Sequence, residues 1–143
     1  MTPSIEYLAG FFDGEGSVGV YTSGTPSWFL KVQVNQTDTA LSRLLLGHFR
    51  ERWGGSITEV RTKRQPALQY QVGGKKAAAA LVELLPHLVL KAPQAALAIE
   101  YEQCRPKVQR GSRGRIVSMD LSYGEGVSRR LKAMKRTLGV LTP

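Results

Sequence analysis

The 143-residue chain has one cysteine, Cys104, one asparagine, Asn35, and no apolar run near the length of a membrane span. One cysteine excludes an internal disulfide, and with only two histidines there is no Cys/His set for structural zinc. A bilayer crossing needs about 20 consecutive apolar residues, so no membrane partner is expected. The opening Met1-Thr2-Pro3-Ser4-Ile5-Glu6 lacks the basic and apolar stretches of a secretory leader. The expectation is an intracellular protein. Scarce asparagine, with Arg outnumbering Lys, suits a GC-rich genome and favours a bacterial or phage source over an organellar one.

The 42% hydrophobic content is enough for a packed core. A chain of this length buries roughly 68–70% of its unfolded surface, which suits one compact domain with or without an appendage. The net charge is +9, and it is unevenly placed. Residues 1–104 carry +1 and residues 105–143 carry +8. A basic excess of this kind usually meets a polyanion, most often nucleic acid. The division suggests a core over 1–104 and a basic extension over 105–143.

The local patterns predict an α+β fold in the order αββαββα, with one added helix. Thr2 can cap a first helix over 3–13 with Pro3 at its first position, ended by Gly14 and Gly16. Alternation marks strands at 17–23 and 28–34, joined by a turn rich in Ser, Gly, Thr and Pro. Asp38 or Thr37 caps a second helix whose apolar positions are Leu41, Leu44, Leu45, His48, Phe49 and Trp53. Gly54-Gly55 stops it. A second strand pair spans 56–63 and 68–72. Helices follow at 75–85 and from Pro93 to about 103. Residues 105–115 contain five basic residues and no acid, the composition of a flexible arm. A last helix over 125–138 has Val127, Leu131, Met134 and Leu138 on one stripe and basic residues elsewhere. Leu121–Gly126 reads as a turn and a cap.

The first helix is unusual. On a helical wheel Ile5, Leu8, Ala9 and Phe12 fall on one face, and Tyr7, Gly10, Phe11 and Gly14 on the opposite one. Two apolar stripes call for burial on both sides. Glycines four apart permit close backbone approach, and each costs about 1 kcal/mol relative to alanine in a helix. The same helix of a second copy is the natural partner. Asp13 and Glu15 stand at the negative end of the helix dipole, where an acid is disfavoured by about 0.3–1 kcal/mol. A compensating positive group is required, and carboxylate oxygens are good ligands for Mg²⁺.

Leu8-Ala9-Gly10-Phe11-Phe12-Asp13-Gly14-Glu15-Gly16 resembles the motif that names the LAGLIDADG homing endonucleases. Further likenesses lie at Gln33-Val34-Asn35-Gln36, Trp53-Gly54-Gly55-Ser56-Ile57 and Leu90-Lys91-Ala92-Pro93-Gln94-Ala95. The resemblance implies a curved four-stranded antiparallel sheet seated on double-stranded DNA. It implies a homodimer, because the chain has one motif, with Tyr7, Gly10, Phe11 and Gly14 at the interface. It implies Mg²⁺ (with Mn²⁺ as substitute) at Glu15 and the Gly14 carbonyl, and no small-molecule cofactor. Gln36 maps onto a water-positioning residue and Lys91 onto a lysine beside the phosphate. Asp13 takes a structural role. Glu15 stands where aspartate is commoner, and Ala40 where some relatives have a basic residue. The implied DNA face is Ser17, Gly19, Tyr21, Ser23, Lys31, Gln33, Glu59, Arg61, Lys63, Gln69 and Gln71, with Arg110 and Arg113 on phosphates. Phe29 is a misfit on that face. An RNA maturase and a non-catalytic DNA-binding regulator are the competing readings.

Overall fold

The structure is a computed structural model that describes residues 2–22, 28–61, 63–104, 109–110, 116–118 and 121–141, with side chains described in 2–22, 28–61, 63–104 and 123–136. Ser23, Arg113 and the side chain of Arg110 lie outside that description, as does the side chain of Leu138.

Helix α1 (Ile5–Glu15) runs directly into strand β1 (Gly16–Thr22), which pairs antiparallel with β2 (Trp28–Thr37). Helix α2 (Ala40–Trp53) leads to β3 (Ser56–Val60) and β4 (Ala67–Gly73). Then come α3 (Gly74–Leu84), a 3-10 turn at Leu85–His87, and α4 (Ala92–Cys104). The four strands form one antiparallel sheet in the order β1-β2-β4-β3. A two-stranded pair, β5 (Gln109–Arg110) and β6 (Ile116–Ser118), precedes α5 (Leu121–Leu141). Part of the segment expected to be a flexible arm is therefore strand-paired.

The alternation in the strands explains the layering. Val18, Val20, Leu30, Val32, Val34, Leu68, Tyr70 and Val72 are buried, and they belong to one cluster with Leu8, Ala9 and Phe12 of α1. Leu46 and Phe49, Leu81 and Leu84, Ala95 and Ala98, and Val127 and Leu131 complete it from the other helices. All helices thus contribute to a core on one side of the sheet, and the sheet's other side stays open.

Several local details differ from expectation. Ser4, not Thr2, caps α1: its side chain accepts the Tyr7 N–H at 3.1 Å. This start puts Glu6 in the first turn, where the helix dipole favours an acid. The helix runs on to Glu15, with the Gly16 N–H donating to the Phe12 carbonyl. Gly16 is needed for close packing: a Cβ there would stand 2.3 Å from the Phe12 ring. Thr39, not Asp38 or Thr37, caps α2 by accepting the Ser42 N–H at 3.0 Å. Thr37 is still in β2, and Asp38 is held by Arg43. On α2, Leu46 is fully buried, whereas Leu41 and Leu44 are 79% and 57% exposed. Gly54 and Gly55 end that helix at φ 78° and 97°, the region glycine enters without penalty.

Leu121–Gly126 is the first part of α5, not a turn and cap. Gly124 sits against Trp28, where a Cβ would lie 2.5 Å from the Trp28 Cβ. Tyr123 stacks on Tyr101 at 5.5 Å, and the Tyr101 hydroxyl donates to the Trp28 carbonyl at 3.0 Å. Val127 and Leu131 then enter the core. The extension is docked on the core through the apolar stripe of α5.

Candidate active site and nucleic-acid interface

The C-terminal end of α1 brings Asp13, Glu15 and Lys91 together. The Asp13 carboxylate accepts the N–H groups of Val89 at 2.7 Å, Leu90 at 3.2 Å and Lys91 at 2.9 Å. These donors lie just ahead of α4, at the positive end of that helix's dipole. The positive group that Asp13 required is thus a row of backbone amides far away in sequence. The Lys91 ammonium donates to the Asp13 carbonyl oxygen. Lys91 is half-buried, and burial pushes its pKa down from the ordinary lysine value, opposed by the negative charges of Asp13 and Glu15. Lys91 is therefore a poorly hydrated cation held in place at two points, its amide and its ammonium.

Glu15 is the last residue of α1, exposed, and its carboxylate makes no hydrogen bond among the described residues. Its neighbour Gly14 has open space where a side chain would stand. Among the described residues no group of three His, Cys, Asp or Glu side chains could enclose a metal. Among the described residues, this corner therefore offers Glu15 as a carboxylate that accepts no hydrogen bond. Gln36 lies two residues beyond the Gly16–Val34 pair, opposite Leu68 and so on the helix side of the sheet. It lines a groove with Tyr7, Phe11 and Leu41.

Sequence reasoning misses Lys135. The wheel groups it with outward-facing charges on the last helix, but α5 half-buries it near Lys91. Burial first, then the Lys91 and Lys132 charges, push its pKa down. The signal is present in the wheel: Lys135 follows Leu131 by four residues and Val127 by eight, which sets it at the margin of the apolar stripe.

Register fixes which side chains share the open face of the sheet, because directly opposed residues in an antiparallel pair point the same way. Ser17, Gly19 and Tyr21 stand opposite Gln33, Lys31 and Phe29. Gln33 and Asn35 stand opposite Gln71 and Gln69. Ser56 and Thr58 continue the row on β3. Ser17, Gly19, Tyr21, Lys31, Gln33, Gln69 and Gln71 thus share one face as expected. Glu59 does not. It pairs with Leu68 on the helix side, and its carboxylate accepts from Arg43 of α2 at 2.8 Å. Arg61 and Lys63 lie in the connection after Val60, outside β3. The expected face had the phase of β3 reversed, and its open side is Ser56, Thr58 and Val60.

The outer face of α1 is open. Tyr7 is 57% exposed, and a Cβ at Gly10 or Gly14 would meet nothing within 4 Å. Phe11 is half-buried, its ring centroid 6.2 Å from that of Phe49. This face continues into a groove of about 540 Å³ lined by Leu41, Leu44, Leu45 and His48 of α2. The His48 Nε2 is buried there with no hydrogen-bond partner among the described residues. The apolar face predicted for a second copy is thus left uncovered by the described residues.

No family model and no curated relative matches the sequence. Solved structures do. The chain is similar to the homing endonuclease I-CvuI in complex with the I-CreI target, with a TM-score of 0.59 and 19% identity over 96% of this chain and 81% of that one. It is similar to the archaeal intron-encoded homing endonuclease I-Vdi141I complexed with DNA, with a TM-score of 0.57 and 18% identity over 97% and 84%. For the homing endonuclease I-TnaI the TM-score is 0.57 and the identity 14%, over 96% and 99%. The fold is that of the LAGLIDADG homing endonucleases.

Proposed function

We propose that this chain, with its LAGLIDADG-type fold, is a site-specific DNA endonuclease that works as a homodimer with a divalent metal ion. It binds a long pseudo-palindromic duplex and hydrolyses one phosphodiester in each strand, leaving short 3′ overhangs. The observation that carries this reading is the free carboxylate of Glu15. It stands where the apolar outer face of α1 meets the open face of the sheet, beginning with Ser17 of β1.

Glu15 fits a hard cation, since an exposed carboxylate that accepts no hydrogen bond among the described residues is an oxygen donor of the kind Mg²⁺ or Mn²⁺ takes. Among the described residues of one chain, no three His, Cys, Asp or Glu side chains come together to enclose an ion. The Gly14 carbonyl, the partner copy and DNA phosphates are the available remainder. Held there, an ion of this kind would supply polarisation of the phosphate and a more acidic water. The chain's own residues do the rest. Asp13 spends its charge on the amides before α4, which fixes Lys91 beside Glu15. The Lys91 ammonium then offsets negative charge developing on the phosphate. Gln36 orients water from the helix side of β2. Ser17, Lys31, Gln33, Gln69 and Gln71 present donors and acceptors of the kind that read base edges in the major groove. Exposed basic residues of α5 hold phosphates and add affinity.

The test is cleavage of DNA carrying the chain's own flanking sequences joined without the insert. The arms are Mg²⁺, EDTA, and Mg²⁺ with Glu15→Gln. A metal-dependent double-strand cut at the junction, lost in Glu15→Gln, is expected. Tight specific binding with no cut in Mg²⁺ or Mn²⁺ refutes the nuclease reading and leaves a regulator. Tight binding only to the corresponding intron RNA leaves a maturase.

A further inference from the structure

The open face of the sheet is mostly amide and hydroxyl, with an aromatic spot at the β1–β2 turn end. Tyr21 and Phe29 are register partners with ring centroids 6.5 Å apart and planes tilted by 49°. Both are half-buried. The Tyr21 ring folds back over Gly19, where a Cβ would stand 2.3 Å from the ring and its hydroxyl. Lys31 completes the arrangement, its ammonium 4.8 Å from the Tyr21 ring centre. The two rings are thus held in place on the outer surface without being absorbed into the core. Their partly exposed apolar area contributes little to folding and is available to a ligand.

A duplex lying on this face offers one apolar feature in its major groove, the C5-methyl group of thymine. Amides and hydroxyls elsewhere on the face suit hydrogen-bonding base edges; an aromatic pair suits a methyl. Its place along the strand gives the position. Tyr21 is five residues beyond Gly16, which follows Glu15 directly. With the step from Glu15 to Gly16 that makes six residues, roughly 20 Å at about 3.3 Å per residue, and for a strand running along the duplex axis about six base-pair rises of 3.4 Å. Resting on the endonuclease reading above, we propose that Tyr21 and Phe29 recognise the 5-methyl group of a thymine at one position in each half-site, about six base pairs outside the cut.

Selection of bound duplexes from a randomised pool, with EDTA present to prevent cleavage, tests this. One pool contains thymine, and a parallel pool contains uracil in its place. The thymine pool is expected to fix thymine at two symmetric outer positions, and the uracil pool to lose the preference there while keeping it elsewhere. On the selected site, one thymine-to-uracil change is expected to weaken binding about fourfold, and a change in both half-sites about 15-fold, the transfer value of one methyl group each. Phe29→Ala and, separately, Tyr21→Ala are expected to bind the thymine and uracil sites equally. Tyr21→Phe, which keeps the ring, is expected to retain the difference. A site bound equally with thymine or uracil at every position overturns the methyl reader and leaves the endonuclease reading standing. Enrichment of no sequence in either pool overturns both.

Discussion

Gly10 separates the requirements of folding from those of assembly. It lies inside an 11-residue helix on an exposed face, and a Cβ built there meets nothing within 4 Å. Glycine at such a position costs about 0.8–1 kcal/mol relative to alanine. Nothing within the chain opposes the gain, so Gly10→Ala is expected to stabilise the lone subunit by about 1 kcal/mol. For a domain of this size that is a rise in Tm of about 3–5 °C. Gly10→Leu is expected to retain most of the gain, because leucine is also a good helix former. Assembly should respond in the opposite sense. Two α1 helices meeting at Gly10 and Gly14 come too close for a leucine, so Gly10→Leu is expected to shift the chain to monomer. Urea unfolding at low protein concentration measures the first effect, and sedimentation velocity across concentrations the second. Loss of stability in Gly10→Ala would show that this face packs within the chain. A dimer that persists in Gly10→Leu would show that the glycine face is not the interface.

Asp13→Asn is expected to lose about 2–3 kcal/mol in urea unfolding, since charged hydrogen bonds to three amides are weakened or removed; a change below about 0.5 kcal/mol would refute the tie between α1 and α4. Lys91 carries its charge against a burial penalty, so its pKa is lower folded than unfolded. Between those two pKa values the unfolded chain binds more protons, so this group makes stability rise with pH. The stability of wild type relative to Lys91→Met is therefore expected to rise as pH climbs toward the ordinary lysine value and to be flat below the shifted one; a flat difference throughout would refute the burial argument. Replacing Arg130, Lys132 and Arg136 by Gln is expected to leave the fold intact and lower the slope of log affinity against log salt by about 0.9 for each phosphate no longer neutralised. An unchanged slope in filter binding would show that α5 does not touch the DNA.

The legibility of the sequence varied with the range of the interactions involved. The paired strands and the open face of β1, β2 and β4 followed from alternation, because burial on one side imposes it. The face of β3 did not. Its phase depends on where the strand ends before Arg61, and one residue's shift sends Glu59 to the helix side. On α2 the run Leu44-Leu45-Leu46 spans more than half the wheel, so only packing could choose Leu46 over Leu44. Caps were misplaced by one or two residues because Thr2 and Ser4, or Thr37 and Thr39, have the same capping chemistry. The amides that satisfy Asp13 are 76 to 78 residues away, and no local pattern encodes them. Glu15, Gly14, Gln36 and Lys91 came from the resemblance, and the structure draws Glu15 and Lys91 to one corner while placing Gln36 on the groove side of β2.

The direct passage from Glu15 into Gly16, with no loop between α1 and β1, makes a rigid ruler of the segment. If α1 sets the cutting point and β1 the reading points, the spacing between them is built into continuous backbone and cannot drift. The outward side chains of β1, β2 and β4 are outside the core, so they can be exchanged at little cost to folding. A lineage of such chains could thus acquire new addresses by surface substitution alone, with the break always falling at the same offset from the address.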